Sequence, residues 1–164
     1  MNSILRGGHE EIRLLPADGS GPPRLVPTSA AQFKSPEAWS PDGRSIVINQ
    51  IMPGTGRDLF VIDAELGGAP RPVAIAPGNQ FLGALSADGR WLAYGSEETG
   101  KWQVFVCRFP DGANKLQLTA DGGADAHWTR GDREIVYVGE DRRSFYAIPF
   151  EPGPDAARLL FRLP

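Results

Sequence analysis

Ala38-Trp39-Ser40-Pro41-Asp42-Gly43-Arg44 runs directly into the apolar stretch Ser45-Ile46-Val47-Ile48, and the pattern returns twice. Ala84-Leu85-Ser86-Ala87-Asp88-Gly89-Arg90 precedes Trp91-Leu92-Ala93-Tyr94. His127-Trp128-Thr129-Arg130-Gly131-Asp132-Arg133 precedes Glu134-Ile135-Val136-Tyr137. The shared arginine falls at 44, 90 and 133, a period of about 45 residues. Past each turn lies another strand-like run: Asp58 to Asp63, Trp102 to Arg108, and Ser144 to Phe150. A fourth run follows in each unit: Arg71 to Ile75, Lys115 to Thr119, and Arg158 to Arg162. The Asp-Gly pair is expected to supply the positive-φ residues that a tight hairpin turn needs. Four short strands at a period of this size are the signature of a β-propeller blade.

The start of the chain fits the same frame. Glu11 to Leu15, the turn at Ala17 to Gly21, and Arg24 to Val26 match the outer hairpin of a blade, with Ser3-Ile4-Leu5 as the tail of a second strand. The expected fold is therefore all-β: an incomplete propeller of about three and a half blades, each full blade having four antiparallel strands. The divisions are residues 1–28 for the partial blade, then 29–76, 77–119 and 120–164 for the blades, all in one propeller segment. Leu59, Val61 and Phe105 are expected to face one way, with Asp58, Asp63 and Gln103 at polar or edge positions. An open arc of this kind leaves apolar faces at both ends. The chain is thus expected to be a piece of a larger propeller or to associate to complete one.

Composition agrees with a globular domain. The 164 residues carry 17 Lys plus Arg against 20 Asp plus Glu, a formal charge of -3, with 41% hydrophobic residues. That balance gives no footprint for nucleic acid, and no apolar run approaches the ~20 residues of a membrane span. The 20 glycines and 15 prolines are spread as turn punctuation, which leaves no long amphipathic helix. One cysteine, Cys107, excludes an internal disulfide framework, and two histidines, His9 and His127, leave little for a metal centre. Residues 1–8 show no apolar h-region and no small-residue cleavage site, so no secretory signal is expected there. With Met1 as the native start the chain would be cytoplasmic; as part of a longer exported or membrane-anchored protein it would be extracytoplasmic.

Ser40-Pro41-Asp42-Gly43-Arg44 with an apolar strand, then Asp58-Leu59-Phe60-Val61-Ile62-Asp63, resembles the TolB-like (WD-like) propeller repeat. Glu97 to Tyr137, including Gly100 to Val106 and Thr119 to Gly123, is similar to bacterial relatives in which such a propeller follows a serine/threonine kinase domain or a winged-helix regulator. The resemblance covers roughly residues 10 to 163. Two positions depart from the pattern: Leu85 replaces an aromatic, and Arg130-Gly131-Asp132 inverts the Asp-Gly order. The sequence holds no H-R-D, D-F-G, Gly-rich phosphate loop or G-x-S-x-G element, so it carries no kinase or hydrolase machinery of its own.

Individual residues give no active site. His127, with Asp125 two residues earlier on the same expected face, is read as channel-lining, since no nucleophile accompanies it. Asp42, Asp88 and Asp132 recur as turn caps. Asp121-Gly122-Gly123-Ala124-Asp125 is the nearest approach to a calcium loop and is read as a blade connection. Arg130-Gly131-Asp132 matches the cell-adhesion tripeptide by chance. Trp39, Trp91, Trp102 and Trp128 are expected to pack between blades. Cys107 is read as a small core residue and Arg142-Arg143, beside Glu140 and Asp141, as a solvated hairpin tip. No catalytic, metal or cofactor residues are assigned. The expected task is a non-catalytic scaffold for a protein or peptide partner. Its contacts would come from channel-mouth loops near Glu37 to Trp39, Phe81 to Gly83 and Ala124 to His127, with Trp39, Phe81, Asp125, His127 and Trp128 as candidates. Two other readings stand beside it: an accessory or sensor domain of a larger enzyme such as a bacterial serine/threonine kinase, and a self-assembling half-propeller.

Overall fold

The computed structural model describes residues 2–6, 9–28, 34–129, 131–150 and 157–164. Arg130, and with it the Arg-Gly-Asp tripeptide as a unit, lies outside them. The described residues form fifteen β-strands and no helix. A three-stranded sheet of β1 (Asn2–Arg6), β2 (His9–Leu14) and β3 (Arg24–Val26) comes first. The second sheet holds β4 (Lys34–Trp39), β5 (Ser45–Met52), β6 (Gly56–Asp63) and β7 (Gly67–Ala74). The third holds β8 (Gln80–Leu85), β9 (Trp91–Ser96), β10 (Gln103–Arg108) and β11 (Leu116–Gln117). The fourth holds β12 (Ala124–Thr129), β13 (Glu134–Val138), β14 (Ser144–Pro149) and β15 (Arg158–Arg162). All pairings within sheets are antiparallel, and strands lie in chain order. β4, β8 and β12 pack beside one another, so they line the axis of the arc. This is a partial β-propeller.

The middle strands of the second and third sheets are apolar on both faces because each of those sheets lies between two others. Ile12, Leu14 and Val26 of the first sheet pack on Ile46, Ile48, Phe60 and Ile62 of the second. Val47, Leu59, Val61 and Val73 on the reverse side of the second meet Leu92, Tyr94, Phe105 and Cys107 of the third. Ala93, Val104 and Val106 then meet Ala126, Ile135, Tyr137 and Ile148 of the fourth. Leu59, Val61 and Phe105 do share one cluster, although Phe105 belongs to the opposing sheet.

Asp58 and Gln103 are not edge residues: both are buried at the start of a third strand. Their side chains tie down the crossing to the next sheet. Asp58 accepts from the Thr55 hydroxyl and from the Ala76 N–H, and burial raises its pKa above the usual carboxylate value. Gln103 accepts from the Thr119 hydroxyl (2.6 Å) and Gly122 N–H (3.1 Å), and donates to the Ala120 carbonyl (3.0 Å). Asp63 remains exposed and caps its own hairpin.

In its first two copies the repeated turn departs from the sequence expectation in its backbone alone. Only the glycine is left-handed, with φ +72° at Gly43 and +70° at Gly89; Asp42 and Asp88 do not take positive φ. Asp42 and Asp88 hold the turn by side chain, as expected of turn caps. Asp88 Oδ1 accepts from the Ser86 hydroxyl (2.7 Å) and the Arg90 N–H (2.9 Å), and the Trp91 N–H donates to Ser86 Oγ (3.0 Å). Asp42, Ser40, Arg44 and Ser45 repeat the arrangement. In the third copy the inverted order puts Gly131 and Asp132 both at positive φ. Asp132 is then not a cap of its own turn. Its carboxylate reaches the neighbouring turn and accepts from the Ala87 N–H (2.8 Å) and the Asp88 N–H (3.1 Å).

Sheets also interlock at their outer hairpins. A Cβ on Gly67 would lie 1.9 Å from the Pro27 carbonyl, and one on Gly112 would lie 2.1 Å from the Val73 carbonyl. Each glycine therefore seats its hairpin on the outer strand region of the preceding sheet.

Two outcomes follow from this packing. Leu92→Ala empties a buried site and is expected to cost ~2–5 kcal/mol in urea unfolding, whereas exposed Leu66→Ala changes little. The Ser86 hydroxyl, then the Arg90 N–H and guanidinium, hold Asp88 down to about 2. Because that value lies below the unfolded one, its contribution is present above pH ~4 and fades as pH falls through about 2. Carboxyl NMR titration should find Asp88 there, and Ser86→Ala should move it upward.

Candidate partner surface

Each axial strand carries one extra residue relative to its neighbour. The register slips between Pro36 and Ala38 in β4, between Phe81 and Ala84 in β8, and between Ala124 and His127 in β12. Such bulges bend a strand and redirect its side chains. In β12 the bulge is marked by Asp125 at φ +53°.

This repeated irregularity governs where the five candidate residues point. All five lie in strands, not in loops: Trp39 ends β4, Phe81 begins β8, and Asp125, His127 and Trp128 belong to β12. The axial strands run the same way around the arc, so Phe81 and Asp125 sit at one end. Trp39, His127 and Trp128 sit toward the other, beside the repeated turns. The structure does not gather them into one mouth.

His127 does not line the channel with Asp125. It is exposed and pairs with Val136, whose side of the sheet faces away from the Ile135 and Tyr137 core. The equivalent residues Ala38 and Ala84 pair with Val47 and Ala93, which face the following sheet. The bulge breaks the alternation on which a shared face depended, and Asp125 comes within 3.8 Å of Arg142 instead. Trp128 is structural: its Nε1 donates to the Ala84 carbonyl (2.9 Å), and it meets Phe150 edge-on at 4.9 Å. Trp91 meets the other side of Phe150 at 5.0 Å. Trp39, by contrast, is 43% exposed and does not pack between sheets as expected. Cys107 is buried, and burial pushes its thiol up to about 12, as befits a core residue.

The end marked by Phe81 and Asp125 is the richer surface. Phe81 meets Trp102 edge-on at 4.6 Å. A groove of about 260 Å³ opens there between the hairpins joining β9 to β10 and β13 to β14, lined by Glu97, Lys101, Trp102, Glu140 and Arg142. Glu97 is fixed by the Asn79 side-chain amide (2.7 Å), while Lys101 and Arg142 are exposed. A larger cleft of about 650 Å³ adjoins it, with Tyr137 stacked on Tyr146 between Asp121, Glu140 and Asp141. Among the described residues no group of three or more His, Cys, Asp or Glu could hold a metal ion. The sequence reading missed Lys101, Trp102 and Arg142 as surface residues of one groove. The available signal was that Gly100-Lys101-Trp102 and Asp141-Arg142-Arg143 occupy the same hairpin of successive repeats.

No family model matches the chain. An uncharacterised protein of Agrobacterium fabrum is 29% identical over 140 residues, covering 84% of this chain and 46% of that protein. Among solved structures, one described as a TolB from Agrobacterium tumefaciens is 25% identical with a TM-score of 0.80, covering 98% of this chain and 60% of its own. TolB from Acinetobacter baumannii is 17% identical with a TM-score of 0.73, covering 92% of this chain and 37% of its own. The dihydro-heme d1 dehydrogenase NirN shares the fold at 20% identity and a TM-score of 0.63, covering 96% of this chain and 34% of its own. The chain thus spans about half the length of the relatives it matches. Its architecture is that of a TolB-like β-propeller, a frame that serves both as a binding domain and within enzymes.

The Trp128 bond gives a direct check. Trp128→Phe should lose about 1 kcal/mol in chemical denaturation by removing the indole bond to the Ala84 carbonyl, while Trp39→Phe should be nearly neutral.

Proposed function

Taking the chain as part of a TolB-like propeller, we propose that it is a non-catalytic scaffold that binds a protein or peptide partner. The binding surface in this reading is the axial end at Phe81, Trp102, Asp125, Lys101 and Arg142. The groove between the two hairpins carries it: an aromatic wall at Trp102, with one acid and one exposed cation from each hairpin, Glu97 with Lys101 and Glu140 with Arg142. Trp102 offers rigid apolar area at little entropic cost, and Lys101 and Arg142 can pair with carboxylates of a peptide. The rigidity of the bulged strands beneath suits presentation of a fixed surface. His127 and Trp39 fall outside this surface, and Trp128 serves the fold.

The test is quantitative affinity capture with the whole chain against its Lys101→Glu/Arg142→Asn variant. Arg142 sits at φ +57°, where asparagine is tolerated, so the fold should survive. A partner captured by the wild type should fall about tenfold with the variant, as loss of charge-assisted bonds predicts. Unchanged recovery, or turnover of a substrate by residues in this groove, would sink the reading.

A further inference from the structure

The four sheets each end in an outermost strand, and three of those edges are blunted. β3 has three residues and β11 has two, while β7 carries Pro70 and Pro72. Short length and proline keep an edge from pairing with another chain, since proline has no N–H to donate. β15 has neither device. It runs Arg158-Leu159-Leu160-Phe161-Arg162, and all five residues are exposed. Leu159 is 56% and Phe161 51% exposed. A bulge at Leu160 does not set it apart, because β7 is bulged too. One side of β15 pairs with β14, and among the described residues no strand lies on the other.

The charges at this edge are one-signed within the strand. Arg158 reaches Glu134 at 3.0 Å and Arg162 reaches Asp141 at 3.4 Å, yet both guanidinium side chains stay largely open to solvent. Phe161 stacks on Phe145 with ring centres 4.6 Å apart, which holds the strand extended against its sheet.

We propose that β15 is a strand-addition site for an extended peptide with apolar, β-branched residues between acidic ends. The unpaired backbone edge requires an extended partner, because only a strand matches its row of donors and acceptors. The exposed Leu159, Leu160 and Phe161 select apolar side chains opposite them, and Arg158 and Arg162 select acidic flanks. A second copy of the chain is a worse occupant. Antiparallel self-pairing centred on Leu160 sets the Arg158 end of one copy against the Arg162 end of the other, and opposed like charges destabilise a strand pair. No residue of β15 lines the axial groove, so either surface can fail alone.

The test uses the whole chain and a fluorescein-labelled synthetic peptide, Glu-Val-Thr-Val-Thr-Glu, read by fluorescence anisotropy. Saturable binding is expected, weakened as salt rises. Arg158→Glu/Arg162→Glu should weaken it about tenfold and favour the matching Lys-ended peptide, while Arg158→Lys/Arg162→Lys should stay within about twofold. A peptide with proline at the central valine should not bind. Equal binding of the proline peptide, indifference to charge reversal in a folded variant, or no saturable binding at millimolar peptide would overturn the proposal. So would a dimer in light scattering that the peptide cannot compete with, since the edge would then belong to a second copy.

Discussion

The whole arrangement depends on one packing constraint: a four-stranded sheet of this composition has two apolar faces and must be covered on both. The three hydrophobic clusters are the three places where that is achieved, each assembled from strands of consecutive sheets. Among the described residues these clusters hold most of the buried apolar side chains, and apolar burial is the dominant favourable term in folding. Hydrogen bonds then tie the connections and neighbouring turns together. Asp58, Gln103 and Asp132 each spend their polar atoms on holding a connection or a neighbouring turn. Their burial or reach would be unfavourable without those partners.

Local turn chemistry and strand periodicity were legible because both are written in short stretches. Ser40 to Arg44 and Ser86 to Arg90 announce hairpins, and the apolar runs after them are strands β5 and β9. What escaped was anything that needs a count across two strands. The one-residue slips in β4, β8 and β12 cannot be read from one strand's pattern, and they break simple alternation across each bulge. Asp125 and His127 are the clearest instance. Asp132 escaped for a related reason: its partners lie in a turn some 45 residues earlier, so its inverted order looked like a mere departure from the repeat.

Tryptophans show the same division between kind and context. Four of them at strand positions looked alike, yet Trp128 is wedged between sheets by an indole hydrogen bond and Trp39 is left in the open. Trp102 stands between these cases, meeting Phe81 edge-on and lining the groove. The candidate surface was therefore only half visible in the sequence. Its aromatic members could be named, but the two hairpins that frame it become neighbours only when successive sheets stack.

The seating of Gly67 on Pro27 and of Gly112 on Val73 gives the chain a direction. Each of these two hairpins finds its seat only after the sheet before it has formed an outer strand. Assembly can therefore follow synthesis, unit upon unit, as the ribosome releases them. It also means that a whole repeat can be duplicated or deleted between two seats without altering either contact, so arrays of this kind can change length in steps of one sheet over evolutionary time.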